Sequence, residues 1–483
     1  MNSPIRRLAA VVALLFASLF ISVTYIQVVS AKELEDNPRN IRTVVAERSR
    51  ERGDIKVGNK VVASSEKVDD MYQYLRTYSN GAMYAPVTGF YSVVSGSPYG
   101  LEGAESEYLS GTSDELFIRN LSSLLTGEEP QGATVETTIN AKAQKAAWDE
   151  LGDQDGAVVA LDPETGDILA MVSKPSYNPN SLATHDTAKA NAAYKKLNAS
   201  DLEPLLNRTI RQLYAPGSTF KIITSAAALS NGWSADSTAN LTGVARLDLP
   251  ETTATLPNDD GLPCAGGTPT LRQALEKSCN TTYGQLGMDL GQETLAEQAA
   301  KFGFGQPLTV PQTVVESVFP SNLNQPQLAQ SAIGQFSVRA TPLQVAMLSA
   351  GVVNGGIVMR PNLVAKVTSA DGKTVSEPSP EEFSEAVTPE VADSLKSMMV
   401  SVVTDGTGRP AQISGVTVGG KTGTAQTAEG QNPDVWFTCF GEKDGKKIAV
   451  AVVVEDGGRL GSEAFGSTVA APIAKAVMEA VLS

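Results

Sequence analysis

Residues 218–229 read Ser-Thr-Phe-Lys-Ile-Ile-Thr-Ser-Ala-Ala-Ala-Leu and follow directly on Pro216-Gly217. Proline and glycine at that point fit a turn into a helix start. Ser218 and Lys221 are three residues apart, so they share one face of the helix. Around them stand Phe220, Ile222, Ile223, Ala226, Ala227 and Leu229. A helix that is apolar on all sides is normally buried, and this one is expected inside the protein. Burial disfavours the charged form of a lysine, which can then act as a base near neutral pH. A serine one turn away becomes a candidate nucleophile that needs no histidine. Taken alone the pattern is weak, because Ser-x-x-Lys arises by chance about twice in a chain of this length.

Two later segments strengthen it. Ser278-Cys279-Asn280 leads into Thr281, Thr282 and Tyr283 within a helical pattern. Ser and Asn there also fit an ordinary cap or turn. Lys421-Thr422-Gly423 follows Val416, Val418, Gly419 and Gly420 and precedes Thr424-Ala425-Gln426. It reads as a strand weakened by glycine. The same glycines would let a substrate backbone lie along the strand edge, with Lys421 offering a cation to a carboxylate.

The rest of the chain supplies a frame for these segments. GAVVALDPETGDILAMVS, residues 156–173, reads as two apolar strands around a turn at Asp162–Gly166. Helices are expected at Thr270–Leu290, Gln344–Val353, Pro389–Val403 and Ser467–Leu482. VTVGGKTGTAQT, DVWFTCFGE and KKIAVAVVVED near the end are strand-like. Hairpin, helical block, antiparallel strands and final helix point to an α/β sheet flanked by helices, with an all-helical lobe inserted. Residues 31 to about 150 differ. Short strand-like runs, Lys60–Ser64 and Gly89–Val94, alternate with turns and read as a pedestal or interaction module. No repeat of 20–50 residues is present.

Composition narrows the chemistry. The chain has 483 residues, 38 Lys+Arg against 53 Asp+Glu, a net charge of −15, one His and three Cys. Nucleic-acid binding wants a basic face and is not expected. His185 is the sole histidine, which excludes a His-rich metal site; it is expected to be an ordinary surface residue. No metal and no cofactor are expected. Leu8–Val29 carries no charge and makes about 33 Å of helix, enough to span a bilayer. Arg6 and Arg7 precede it, while Glu33, Glu35 and Asp36 follow. The positive-inside rule puts the amino end in the cytoplasm and the body outside. Cys264 and Cys279 flank a loop with Gly266, Gly267 and Pro269; a bridge and two free thiols both fit. Cys439 reads as a buried strand residue.

Ser-x-x-Lys, Ser-x-Asn and Lys-Thr-Gly, in this order and widely spaced, form the motif set of penicillin-binding proteins and serine β-lactamases. The chain resembles the class B penicillin-binding proteins. GAVVALDPETGDILAMVSKPSYNPN is similar to the segment that opens their transpeptidase domain, and LNRTIRQLYAPGSTFK to the approach to their nucleophile. Gly334-Gln335 with TPLQVAMLSA, and GTGRPAQI before the Lys-Thr-Gly strand, resemble further family stretches. Glu51-Arg52-Gly53-Asp54-Ile55 and QGATVETTIN match the pedestal more loosely. Lys56-Val57-Gly58-Asn59 stands where the family usually has Asp-Arg-Asn-Gly.

The resemblance implies an α/β, penicillin-binding/serine β-lactamase-like transpeptidase domain: an antiparallel sheet flanked by helices, plus an all-helical lobe. It adds an amino-terminal α+β, β-rich pedestal and one transmembrane helix. The implied division is 1–33 cytoplasmic start and anchor, 34–150 pedestal of dimerisation type, and 151–483 transpeptidase domain. The implied activity is cross-linking of peptidoglycan stems. Ser218 attacks the D-Ala-D-Ala carbonyl and is acylated, and Lys221 takes its proton. Ser278 and Lys421 relay a proton to the leaving D-Ala, and Asn280 holds the substrate amide or orients Lys221. Thr422, Gly423 and Thr424 bind the terminal carboxylate or substrate backbone, and the N–H groups of Ser218 and Thr424 form the oxyanion hole. Implied partners are stem peptides, lipid-linked precursor polymer, β-lactams as covalent inhibitors, and a polytopic membrane glycosyltransferase. The same site would serve a D,D-carboxypeptidase or a β-lactamase-like hydrolase. Non-enzymatic alternatives are a β-lactam sensor and a structural cell-wall partner.

Overall fold

The computed structural model describes residues 3–30, 45, 48–119, 131–426 and 430–483. Glu33, Glu35 and Asp36, the boundary at 33/34, and Thr427 lie outside the described residues. At the amino end Ser3–Thr24 is α-helical and Tyr25–Val29 continues it with π-type bonding. None of these residues is buried, and among the described residues this is the one helix long and apolar enough to cross a membrane.

The site is built on five strands: β1 (Gly156–Leu161), β2 (Ile168–Lys174), β3 (Thr417–Ala425), β4 (Asp434–Lys443) and β5 (Lys446–Val454). Their order is β3-β4-β5-β1-β2, antiparallel throughout. In β5 the side chains alternate between two cores. Ile448, Val450, Val452 and Val454 join one, with Val158, Ala147 and Val477. Ala449, Ala451 and Val453 join the other, with Val345 and Leu348. A strand buried on both faces needs an unbroken apolar run, which KKIAVAVVVED supplies. Each buried valine contributes roughly 1.5–3 kcal/mol. The helices Ala141–Leu151 and Ala470–Leu482 cover the first face, and Pro342–Val353 covers the second. The inserted lobe is helical, with Lys221–Ser230, Leu271–Lys277, Asn280–Leu290, Gln292–Lys301 and Gln325–Ser331.

The expected single helix over Thr270–Leu290 is two helices with a break at Ser278. Ser278 is left-handed, with φ 61° and ψ 41°. The N–H groups of Ser278 and Cys279 turn back to Leu275 O and Ala274 O, at 3.2 and 2.9 Å. Glycine normally takes such a helix-ending position; the cap or turn that Ser278 and Asn280 also fit is what forms. The structure brings Cys279 to Cys264 with Cα atoms 5.9 Å apart, inside the range a disulfide needs.

The pedestal centres on a six-stranded sheet in the order 374–376, 364–368, 134–137, 55–57, 60–67, 74–78. Residues 55–57 run parallel to 134–137, and the other pairs are antiparallel. Two of its strands therefore come from far along the chain. Beside it, buried Glu102 accepts from Arg52 Nε at 3.0 Å, Arg76 Nε at 2.5 Å and Tyr78 Oη at 3.0 Å. His185 lies at the surface, half-buried, with Nδ1 2.5 Å from the exposed Asp70 Oδ2 on the pedestal hairpin.

Candidate active site

Ser218 lies on a 3-10 turn, Gly217–Phe220, that runs into the helix Lys221–Ser230. Gly217 has φ 52°, and its N–H donates to Gly334 O at 3.0 Å. A Cβ on Gly334 would stand 2.1 Å from Gly217 O, so glycine is required where these backbones meet. The approach to the turn is pinned from the sheet. Trp436 Nε1 donates to Ala215 O at 3.1 Å, Tyr214 Oη to Glu455 at 2.5 Å, and Arg208 Nε to Glu455 at 2.9 Å.

Lys221 is fully buried. Its Nζ lies 2.7 Å from Ser278 O, 2.6 Å from Asn280 Oδ1 and 3.2 Å from Ser278 Oγ. Lys421, fully buried on edge strand β3, places Nζ 2.9 Å from Ser278 Oγ and 2.9 Å from Thr422 O. One serine hydroxyl thus sits between two buried amines. Burial first, and then Lys421, push the Lys221 ammonium well below its ordinary range; Asp259 opposes the shift. Burial pulls Lys421 down to about 7, again against Asp259. A neutral Lys221 amine has two N–H groups and one lone pair. Two of its contacts, Ser278 O and Asn280 Oδ1, can only accept. They take both N–H groups and leave the lone pair for a hydroxyl proton.

Among the described residues no side-chain hydrogen bond joins Ser218 to Lys221, because the amine is drawn onto Ser278 and Asn280. Catalytic bonds of this kind often close only around substrate. Thr422 Oγ1 pairs with Thr407 Oγ1 at 2.8 Å. Thr424 is half-buried near the end of β3, and Gly423 is buried against Thr219 and Trp436. Gly419 and Gly420 serve packing: a Cβ on either would run into the ring of Phe440 or Phe437 on β4. Ser218, Lys221, Ser278, Asn280, Lys421 and Thr422 therefore meet around one edge of one sheet. Thr407 and Asp259 are polar neighbours that sequence reasoning missed. Thr407 lies within the quoted stretch GTGRPAQI, but Asp259 stands in a Gly/Asp/Thr-rich connection with no pattern to mark it.

A buried Ser/Lys/Lys cluster at the edge of an antiparallel sheet, with a helical lobe beside it, defines the serine acyl-transfer class. Residues 156–479 match the penicillin-binding protein transpeptidase domain, and 52–135 match the penicillin-binding protein A dimerisation domain. The chain belongs to the class B penicillin-binding protein family. It is 44% identical to the peptidoglycan D,D-transpeptidase PbpA of Mycolicibacterium smegmatis, over 100% of this chain and 99% of that one. PbpA of Mycobacterium tuberculosis is 42% identical, with the same coverage. The structure of penicillin-binding protein A from M. tuberculosis as a ceftriaxone acyl-enzyme superposes with a TM-score of 0.86 at 40% identity, covering 91% of this chain and 100% of that one.

Proposed function

We propose that the chain is a peptidoglycan D,D-transpeptidase with Ser218 as its nucleophile. The observation that carries this reading is the Ser278 hydroxyl held between the buried amines of Lys221 and Lys421, beside the Ser218 turn. Ser218 Oγ attacks the carbonyl carbon of the penultimate D-Ala, and its proton goes to neutral Lys221. Oxyanion charge falls on the N–H groups of Ser218 and Thr424. The C–N bond to the last D-Ala breaks, and Ser278, fed by Lys421, protonates the departing amine. An amine of a neighbouring stem then attacks the acyl carbon and gives its proton through Ser278 to Lys421, while the ester C–O bond breaks and Lys221 returns its proton to Ser218 Oγ. Asn280 keeps Lys221 in place, and Thr422, Gly423 and Thr424 receive the substrate backbone and carboxylate along β3. β-Lactams enter by the same first step and stop as esters of Ser218.

The anchor, pedestal and transpeptidase division at 1–33, 34–150 and 151–483 belongs to this reading, with residues 364–368 and 374–376 of the last span lent to the pedestal sheet, as does a bridge between Cys264 and Cys279. So does an orientation with Arg6 and Arg7 in the cytoplasm. A polytopic glycosyltransferase would supply the glycan strand, meeting this chain through Leu8–Val29 and the pedestal; failure of the two to co-purify from membranes would count against that partner. Mass spectrometry of the protein after exposure to penicillin tests the core claim. A single adduct on the peptide holding Ser218 is expected, and an adduct elsewhere sinks it. The same peptide map reads the state of Cys264 and Cys279.

A further inference from the structure

The side-chain amide of Asn280 has two unlike ends, and the end that faces Lys221 decides what that amine can do. Oδ1 faces Lys221 Nζ at 2.6 Å. Nδ2 points away, to Asp259 Oδ1 at 2.7 Å and Pro257 O at 3.3 Å. Carboxylate and carbonyl oxygens only accept, so that side admits the NH2 end and rejects the oxygen. Were the amide turned over, its N–H would point at Lys221. It would then claim the lone pair that the nucleophile's proton needs, or face an ammonium with another donor.

Asp259 is held where this requires it. Its neighbour Asn258 is buried. Asn258 Oδ1 accepts from Thr281 N at 3.1 Å and Thr281 Oγ1 at 3.2 Å, and its Nδ2 donates to Val244 O at 3.1 Å and Leu262 O at 2.9 Å. The turn carrying Asp259 is thereby fixed to the first turn of the helix Asn280–Leu290. Asp259 itself is exposed. Among the described residues it forms no ion pair with a Lys or Arg within 4 Å, so a surface salt bridge does not account for it.

We propose that Asp259 is a positioning residue for acyl transfer, holding the Asn280 amide so that its oxygen faces Lys221. This rests on the roles given to Ser218 and Lys221 above. The carboxylate also acts through space, since it opposes the depression of both lysines. The other groups facing Lys221 are Lys421, Ser278 and the Tyr283 ring, whose centroid lies 5.5 Å from Nζ.

The test is the rate of acylation by a fluorescent penicillin, measured across neutral pH on the full chain with Asp259 intact, Asp259→Ala and Asp259→Asn. Asp259→Ala is expected to be about tenfold slower at neutral pH, the effect of one lost hydrogen bond to the Asn280 amide. Asp259→Asn keeps an accepting oxygen and should stay close to the unmodified protein there. In both variants the acid limb of the profile should move to lower pH, because the negative charge that held the amines up is gone. An Asp259→Ala rate and limb like those of the unmodified protein would overturn the proposal. So would an Asp259→Asn rate as low as that of Asp259→Ala. If Asp259→Ala loses its melting transition, the limb of Asp259→Asn decides, and an unmoved limb is fatal. An unmodified protein that does not acylate at all would sink the Ser218 reading beneath it; normal acylation with indifferent variants removes Asp259 alone.

Discussion

In the proposed mechanism Lys221 acts by being neutral, and burial is what makes it so. An amine is a base only without its proton, so acylation should rise from the acid side as Lys221 loses its own. Lys421, pulled down to about 7, has the opposite task, since it must still carry the proton that Ser278 passes to the leaving amine. Acylation should therefore fall as pH rises through about 7; a profile that is flat across neutrality would contradict this pairing of base and acid. Ser218→Ala should abolish labelling, and persistent labelling would remove Ser218 as nucleophile. Lys221→Ala should slow acylation by a factor of about 10² or more, the scale of a lost general base. The lysines and serines were legible in the sequence because the chemistry requires those residue types in that order. Asp259 was not, because its task is to face one amide across a turn, and any exposed loop carboxylate looks the same.

At the scale of elements, the nucleophile turn depends on two backbones meeting at Gly217 and Gly334. Gly334 has φ 75°, and an added Cβ there meets Gly217 O. Gly334→Ala is expected to cost about 1–3 kcal/mol of stability, read as a lower Tm, and to slow labelling of Ser218. An unchanged Tm and rate would mean the turn tolerates a side chain. Strands β1 to β5 and the helices Pro342–Val353 and Ala470–Leu482 were readable because apolar runs and helical periodicity follow burial directly. The break at Ser278 was hidden. Ser278, Cys279 and Asn280 are weak helix formers that fit a cap or turn, but Gly284 and Gly287 in the same stretch are weaker still and do not break it, so propensity does not point to the left-handed serine. The break nonetheless puts Ser278 Oγ between two lysines, which a continuous helix would not do.

At the scale of the molecule, the −15 charge belongs mostly to the body, while Arg6 and Arg7 stand at the start of the apolar helix. If the amino end is cytoplasmic, protease added to spheroplasts should digest the Ser218-bearing body and leave the amino end intact. Protection of the body would reverse the orientation. The least legible large feature was the make-up of the pedestal sheet. Pairing between residues 134–137 and 364–368 is non-local, and neither run carries a mark of its partner.

That pairing has a consequence for biogenesis. Residues 134–137 lie between 55–57 and 364–368, so a nascent chain that has reached only residue 150 presents an open strand edge. The catalytic sheet is no earlier, since β1 waits for β5. Long-range strand pairing is slow and leaves edges open meanwhile. Neither sheet is complete until most of the polypeptide has been synthesised. From emergence of the pedestal until residue 376 arrives, the edge of 134–137 stays open to non-native pairing.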